Sequence, residues 1–336
     1  MKKVNSAAGI DRRTVLKAGA ALAGALAMPG LLRARGTPTI RVGYWPISAC
    51  LPYYVAIEKG FFDQAGLKVE VQRYAGAQQI TEAMLAGRCD GCANGTGTAN
   101  QAIGELAQPG LLKFFCSNPT NARNVLDEII VGADNDAKTI ADLSGKRVAG
   151  GPGIQNMTLA RTVFERAGAK DVEVVELPFN QHVPSIVAGH IDAAYTLEPQ
   201  GTIGRLNGST RVLETGVIAH YILGDPMAPW HGGAASLTSQ FLADYPDEST
   251  AFIEAYRKGV AYVRDNPDDA RQYLDGYSWV KGDLAREVPI SGYTMYDEFT
   301  PESIQYFQDF FDLFSEAGIF SSPLQVAPMI YAGSAA

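Results

Sequence analysis

The sequence predicts an α/β protein of two similar lobes, each on its own sheet, with a ligand cleft between them. Three observations carry that expectation. Short apolar stretches alternate with helical ones, the pattern of βαβ units. The chain echoes itself at an offset of 102 residues: Phe62-Asp63-Gln64-Ala65-Gly66 answers Phe164-Glu165-Arg166-Ala167-Gly168, Gln78-Gln79 answers Asn180-Gln181, and Ala86-Gly87-Arg88-Cys89-Asp90 answers Ala188-Gly189-His190-Ile191-Asp192. Polar, glycine-rich turns follow the expected strands, where open α/β sheets bind their ligands.

The bulk numbers bound the class. In 336 residues, 46% are hydrophobic and 19% charged, enough apolar material for a core. Net charge is -8, which excludes a nucleic-acid partner, because phosphate binding needs clustered Lys and Arg. Four Cys make no disulfide scaffold.

Residues 1–36 read as an export signal. A basic flank (Lys2, Lys3, Arg12, Arg13, Lys17) precedes an Ala/Gly-rich apolar run from Ala18 to Leu32. The Arg12-Arg13 pair followed by Val15-Leu16-Lys17 resembles a twin-arginine signal, although Asp11 stands where Ser or Thr is usual. That predicts a periplasmic protein. The segment holds seven of the 28 basic groups and one of the 36 acidic ones, so the rest carries a net −14. Such charge predicts a soluble monomer.

The first lobe is expected to run from a strand at Ile40–Tyr44 through a helix around Leu51–Ala65, a strand Leu67–Val71, a helix Ile80–Ala86 and a strand near Cys92. A helix Ala99–Ala107 and a strand Leu112–Cys116 complete it. The second lobe begins after Glu128–Val131. Its strands are Arg147–Ala149, Val172–Leu177 and Ala193–Thr196, and its helices Met157–Ala167 and Val183–Ala188. Glycines after the helices read as C-caps. The last third is mainly helical (Phe252–Arg264, Ala270–Leu274, Ile304–Ala317), with Phe307, Phe310, Phe311 and Phe314 as core.

The candidate site is the set of turns at the strand ends. From the first lobe come Trp45, Ser48, Gly76, Gln78, Gly95, Thr96 and Asn118. From the second come Gly153, Gln155, Asn156, Phe179, Asn180 and Glu198, with His231 on the return crossing. Glycines allow close backbone approach, and helix starts offer free N–H groups to an anion. Asn, Gln, Ser and Thr supply hydrogen bonds, and aromatic rings supply stacking. Arg123 is the nearest arginine to these turns.

Gly43-Tyr44-Trp45-Pro46 with Pro52-Tyr53-Tyr54-Val55-Ala56-Ile57-Glu58-Lys59-Gly60-Phe61-Phe62 resembles the start of NMT1/THI5-like periplasmic binding proteins. Ala86-Gly87-Arg88-Cys89-Asp90, Asp142-Leu143-Ser144-Gly145-Lys146-Arg147-Val148-Ala149 and Ile191-Asp192-Ala193-Ala194 with Glu198-Pro199 extend the likeness over nearly all the chain after Thr37. The resemblance implies a type II periplasmic binding fold with two crossovers as a hinge. Lobe 1 would be residues 37–127 plus 238–336, and lobe 2 residues 128–237. It implies capture of a small anion of the sulfonate, taurine or nitrate class, delivery to an ABC permease and its ATPase, no cofactor and no catalysis. Two relatives within the resemblance leave alternatives: a binder of a thiamine-precursor pyrimidine or other aromatic heterocycle, and a desulfinase-like enzyme with Cys50 as nucleophile. The latter needs a thiolate, whose formation a helix start favours. Cys89 and Cys92 are spaced as a C-x-x-C pair without a second pair, so they read as packing rather than metal ligands. A Cys50–Cys116 bridge is open.

Overall fold

A computed structural model describes residues 37–333. The segment read as an export signal lies outside the described residues. Two sheets carry the fold. The first holds β1 (Thr39–Tyr44), β2 (Lys68–Arg73), β3 (Gly91–Cys92), β4 (Leu112–Ser117), β10 (Ala234–Thr238) and β11 (Thr294–Met295), in the order β11-β4-β10-β3-β1-β2. The second holds β5 (Asp127–Gly132), β6 (Arg147–Gly150), β7 (Glu173–Glu176), β8 (Ala193–Leu197) and β9 (Thr210–Thr215), in the order β7-β6-β8-β5-β9.

The two orders are the same pattern. In each lobe the second strand lies outside the first and the third lies inside it, all parallel. Next comes the strand that arrives from the other lobe, antiparallel to its neighbours: β10 in the first sheet, β5 in the second. The 102-residue echo therefore marks β1-β2-β3 and β6-β7-β8. Its aspartates have one task each. Asp90 accepts the Arg41 N–H at 2.8 Å on its carboxylate and donates its own N–H to the Arg41 carbonyl at 2.8 Å. Asp192 does the same to Arg147, at 3.0 and 2.7 Å. Each Asp thus seats the third strand against the first. The repeated glycines have positive φ: Gly66 73°, Gly168 86°, Gly87 65° and Gly189 71°. These left-handed positions end the helices as C-caps.

Helices α1 (Leu51–Glu58) and α2 (Phe61–Gln64) replace the single helix expected over Leu51–Ala65. The break is Gly60, at φ 66°. Further on lie α3 (Ala77–Leu85), α4 (Thr98–Ala107), α5 (Ile154–Arg166), α6 (His182–Val187), α7 (Gln200–Leu206), α8 (Val217–Tyr221), α9 (Ser239–Asp244), α10 (Pro246–Asp265), α11 (Pro267–Ala270) and α12 (Pro301–Glu316). The α12 phenylalanines Phe307, Phe310, Phe311 and Phe314 are fully buried. Helix α10 packs against α1 at Gly259, where a Cβ would lie 2.3 Å from the Pro52 carbonyl oxygen.

Two segments join the sheets, 118–126 and 216–233. They are bridged to each other: the Thr120 N–H donates to the Trp230 carbonyl at 3.0 Å and the Trp230 N–H to the Thr120 carbonyl at 2.9 Å. The return crossing is complete before Ala234, so a border at 237/238 falls inside β10. The sequence Ala234-Ala235-Ser236-Leu237-Thr238 is buried on both faces and shows no alternation by which to recognise a strand.

Candidate functional site

The carboxyl ends of β1, β3, β4, β6 and β8 meet at the seam between the lobes. A small cavity there is lined by Trp45 and Ile47 after β1, Gly95, Gly97 and Asn100 after β3, Asn118 after β4, Gln155 and Asn156 in α5, and Leu197 at the end of β8. Leu126, Trp230, Gly232 and Gly233 close it from the crossovers. The lobes are shut on it: about 10 Å³ remains for the centre of a water molecule, roughly one water's worth.

Three buried polar atoms on this lining have no partner: Asn118 Nδ2, Trp230 Nε1 and Asn100 Oδ1. Asn118 is oriented by its other end, since its Oδ1 accepts the Gly95 N–H at 2.8 Å. The seam thus presents two donors and one acceptor to a guest. Burying such groups unpaired costs about 1–3 kcal/mol each.

Gln155 ties the lobes together. Its Oε1 accepts the Ala99 N–H at 2.8 Å, capping α4 from the opposite lobe, and its Nε2 donates to the Gly232 carbonyl at 2.8 Å. Only glycine at 97 admits it, since a Cβ there would lie 2.7 Å from Gln155 Oε1. The Thr98 N–H is taken as well, by the Gly232 carbonyl at 3.1 Å. The start of α4 is therefore satisfied within the closed chain.

Trp45, Gly95, Asn118, Gln155 and Asn156, all expected at the site, line the cavity. The Trp45 Nε1–H donates to the Gly95 carbonyl at 2.9 Å, and Asn156 Nδ2 to the Pro152 carbonyl at 2.8 Å. Ser48 bridges the lobes instead, its N–H and Oγ–H both 3.3 Å from the Glu198 carbonyl oxygen. Gly153, at φ 91°, and Gln78 meet on the lining of a wide groove beside the seam, where a Cβ on Gly153 would lie 3.2 Å from Gln78 Oε1. Phe179 packs on Trp45 with ring centroids 5.6 Å apart. With Asn180 it opens on a crevice on the other side of Trp45, where Arg73 also lies.

Four more of the expected residues stand off this cavity. His231 faces away from the cleft: its ring is buried between Ser117 Oγ (2.8 Å) and Ser303 Oγ (3.0 Å) and stacks on Phe307, and burial lowers its pKa to about 3. Thr96 is part of the turn, donating to the Ala93 carbonyl. Gly76 caps α3 in extended backbone and a Cβ there would meet nothing within 4 Å. The Glu198 carboxylate turns from the cavity to Thr202 Oγ1, 2.9 Å away, and to the buried Glu128. Burial pushes Glu198 up to about 7. Burial first, and then the Glu198 charge, push Glu128 upward too. Arg123 is exposed and stands off the lining. Asn100 and Trp230 also line the cavity. In the sequence Trp230 reads, with Trp45, Tyr53, Phe179 and Tyr195, as a candidate member of an aromatic box, and Asn100 sits in the unremarkable helical run Thr98–Ala107.

The family described as NMT1/THI5-like matches residues 48–270. The chain belongs to this family. Among its relatives is a putative aliphatic sulfonates-binding protein of Bacillus subtilis, 23% identical over 251 residues, covering 70% of this chain and 68% of that one. Among solved structures, the alkanesulfonate-binding protein SsuA of Xanthomonas axonopodis, bound to MOPS, superposes with a TM-score of 0.70 at 19% identity, covering 88% of this chain and 99% of that one. The periplasmic nitrate-binding protein NrtA of Synechocystis gives 0.65 at 15% identity, covering 88% and 85%. The fold of this NMT1/THI5-like chain is thus the two-lobed periplasmic binding fold.

The cysteines of this NMT1/THI5-like chain are all buried and free. Cys50 donates its thiol to the Asn94 carbonyl at 2.7 Å, and burial pushes it up to about 12, the reverse of what a thiolate nucleophile needs. Among the described residues no cluster of three or more His, Cys, Asp or Glu could hold a metal ion, and no helix is long and apolar enough to cross a membrane.

Proposed function

We propose that this protein is the periplasmic solute-binding subunit of an ABC importer, and that it holds a small anion of the sulfonate or nitrate class between its lobes. The observation that carries this reading is the trio of unpartnered buried atoms at the closed seam, Asn118 Nδ2, Trp230 Nε1 and Asn100 Oδ1. Two donors suit the oxygens of an oxyanion, and the acceptor suits a polar group attached to it. The relatives' sulfonate and nitrate ligands agree with that chemistry. No charged side chain lines the seam itself; Arg161 stands on the neighbouring groove together with Glu82 and Glu176, and Arg73 on the crevice.

Mechanistically, the solute binds an open form and the lobes close over it about the bridged crossovers. It favours the closed form because only there do the donors of one lobe and the crossovers, and Gln155 of the other, surround it. Permease and ATPase then read the closed shape, and the chain acts as a monomer without turnover. The test is a thermal-shift screen of sulfonates, nitrate and carboxylates, followed by calorimetry on Trp230→Phe. A bound anion raises the melting point. Trp230→Phe removes one donor and lowers affinity about tenfold, the scale of one buried hydrogen bond. A screen in which only uncharged pyrimidines shift the protein moves the reading to a heterocycle binder.

A further inference from the structure

Helices α4 and α5 both begin on the lining of the seam cavity, one from each lobe. A helix start carries partial positive charge. At the start of α4 lies the carboxamide of Gln155, a buried residue from α5. Its Oε1 accepts the Ala99 N–H and its Nε2 donates to the Gly232 carbonyl, both at 2.8 Å. The carboxamide is a flat trigonal group with its oxygen turned to a helix start. A nitrate, carboxylate or sulfonate oxygen presents the same acceptor to the same N–H. Three buried atoms nearby are unpaired: Asn100 Oδ1 in the same first turn of α4, and Asn118 Nδ2 and Trp230 Nε1 on the same lining.

We infer that Gln155 is a built-in stand-in for the solute: its carboxamide latches the lobes shut by taking, at the start of α4, the bond that a solute oxygen takes on binding. The inference rests on the solute-binding reading above and adds the competitor that the solute displaces. Space argues for exchange rather than addition. Beside the carboxamide there is room for roughly one water, too little for a nitrate or a sulfonate head. Rotating Gln155 off Ala99 frees the place of a flat group close to nitrate in size, and Gln155 stays on the wall of the site. The groups it leaves are not stranded. The Thr98 N–H still donates to the Gly232 carbonyl at 3.1 Å, and the Ala99 N–H passes to the solute. Strength sets the direction of the exchange. An N–H bond to an anion is roughly twice as strong as one to a neutral amide, so an anion displaces the carboxamide and a neutral solute of the same shape does not. A second pair of bonds across the seam, from the Ser48 N–H and Oγ–H to the Glu198 carbonyl, is longer at 3.3 Å. The latch therefore falls mainly to Gln155, and it lowers apparent affinity by holding part of the population shut.

The experiment compares the full chain with its Gln155→Ala and Ser48→Ala variants, by small-angle scattering without added solute and by calorimetry with nitrate, methanesulfonate and acetate. Gln155→Ala should enlarge the radius of gyration. Ser48→Ala, which keeps its backbone bond to Glu198, should not. For whichever anion the parent binds, Gln155→Ala should bind about fivefold more tightly, the scale of the hydrogen bonds no longer competing. A Gln155→Ala chain as compact as the parent, or a Ser48→Ala chain that opens equally, overturns the latch and leaves the solute-binding reading standing. An anion affinity equal to or below the parent's makes Gln155 no competitor and overturns the exchange, again without touching that reading. If no anion binds any of the three proteins, the solute-binding reading fails; a larger radius in Gln155→Ala then still supports the latch, and an equal one overturns it.

Discussion

At the scale of single residues, burial decides which reactive-looking groups are chemically quiet. Cys50 stands at the tip of the first strand turn, ahead of a helix, a place where a thiolate would be favoured. Its side chain is fully buried, however, and its thiol spends its proton on the Asn94 carbonyl. With the thiol near 12, the thiolate fraction at pH 8 is about one part in ten thousand. Native protein at pH 8 should therefore resist a disulfide-exchange reagent at Cys50 and react promptly in urea. Cys50→Ser should leave solute affinity within about twofold. Rapid native labelling at Cys50 would return the enzyme reading to consideration. His231 follows the same logic from the basic side: two serine hydroxyls and a phenyl ring hold it neutral in the first lobe's packing.

At the scale of elements, glycines position the seam, but unequally. A Cβ on Gly151 would lie 2.0 Å from Phe179 Cζ, and one on Gly232 would lie 2.0 Å from Trp230 Cζ2. Gly151→Ala should displace Phe179 from Trp45 and lower stability by about 1–3 kcal/mol, the range for overpacking. Gly76→Ala, in extended backbone with open space around it, should leave melting point and affinity unchanged. A circular-dichroism melt of both variants checks this, and equal effects would show that the loop glycines do not differ in role. The contrast also shows what the sequence could and could not reveal. The αβ alternation and the echo disclosed β1-β2-β3 and β6-β7-β8, because each unit carries local punctuation: a left-handed glycine and then an aspartate. They did not disclose β9 and β10. Strand β10 is buried on both faces and pairs with residues over 100 positions away, so no local pattern records it. The site followed the same division. Trp45, Gly95 and Asn118 sit in turns at strand ends, and Gln155 and Asn156 open the helix that follows β6, where topology alone points. Glu198 and His231 sit in equally suggestive turns, but their side chains rotate toward partners distant in sequence. Asn100 lies in the first turn of α4, and no Gly-rich or aromatic motif draws attention to it.

At the scale of the whole molecule, the hinge carries buried acid. Asp127 and Glu128 open β5, the first strand after the outward crossing, and Glu198 directly follows β8 beside it. All three are buried, and none has a salt bridge among the described residues. Burial raises Asp127 to about 6 and Glu198 to about 7, and Glu128 also upward. In the fold Asp127 therefore keeps its proton up to about pH 6 and Glu198 up to about pH 7. Below the ordinary value of 4.5, folded and unfolded chains both keep the Glu198 proton, and its contribution is full. Between about 4.5 and 7 the unfolded chain gives the proton up while the folded chain retains it, so stability falls as pH rises. Groups of opposite sign overlap the window: buried His231, lowered to about 3, and His182, lowered to about 4, favour the fold more as pH rises from those values to the ordinary 6.5. The wild-type melting curve alone thus mixes both. The difference between wild type and Glu128→Gln isolates the acid pair, because glutamine keeps the shape against Gly201 and cannot ionise. The variant should match wild type near pH 4.5 and exceed it at pH 8, by an amount on the order of 1–2 kcal/mol. Melting curves of the two proteins from pH 4.5 to 8 decide the matter: parallel lines would show that the pair holds no proton to lose.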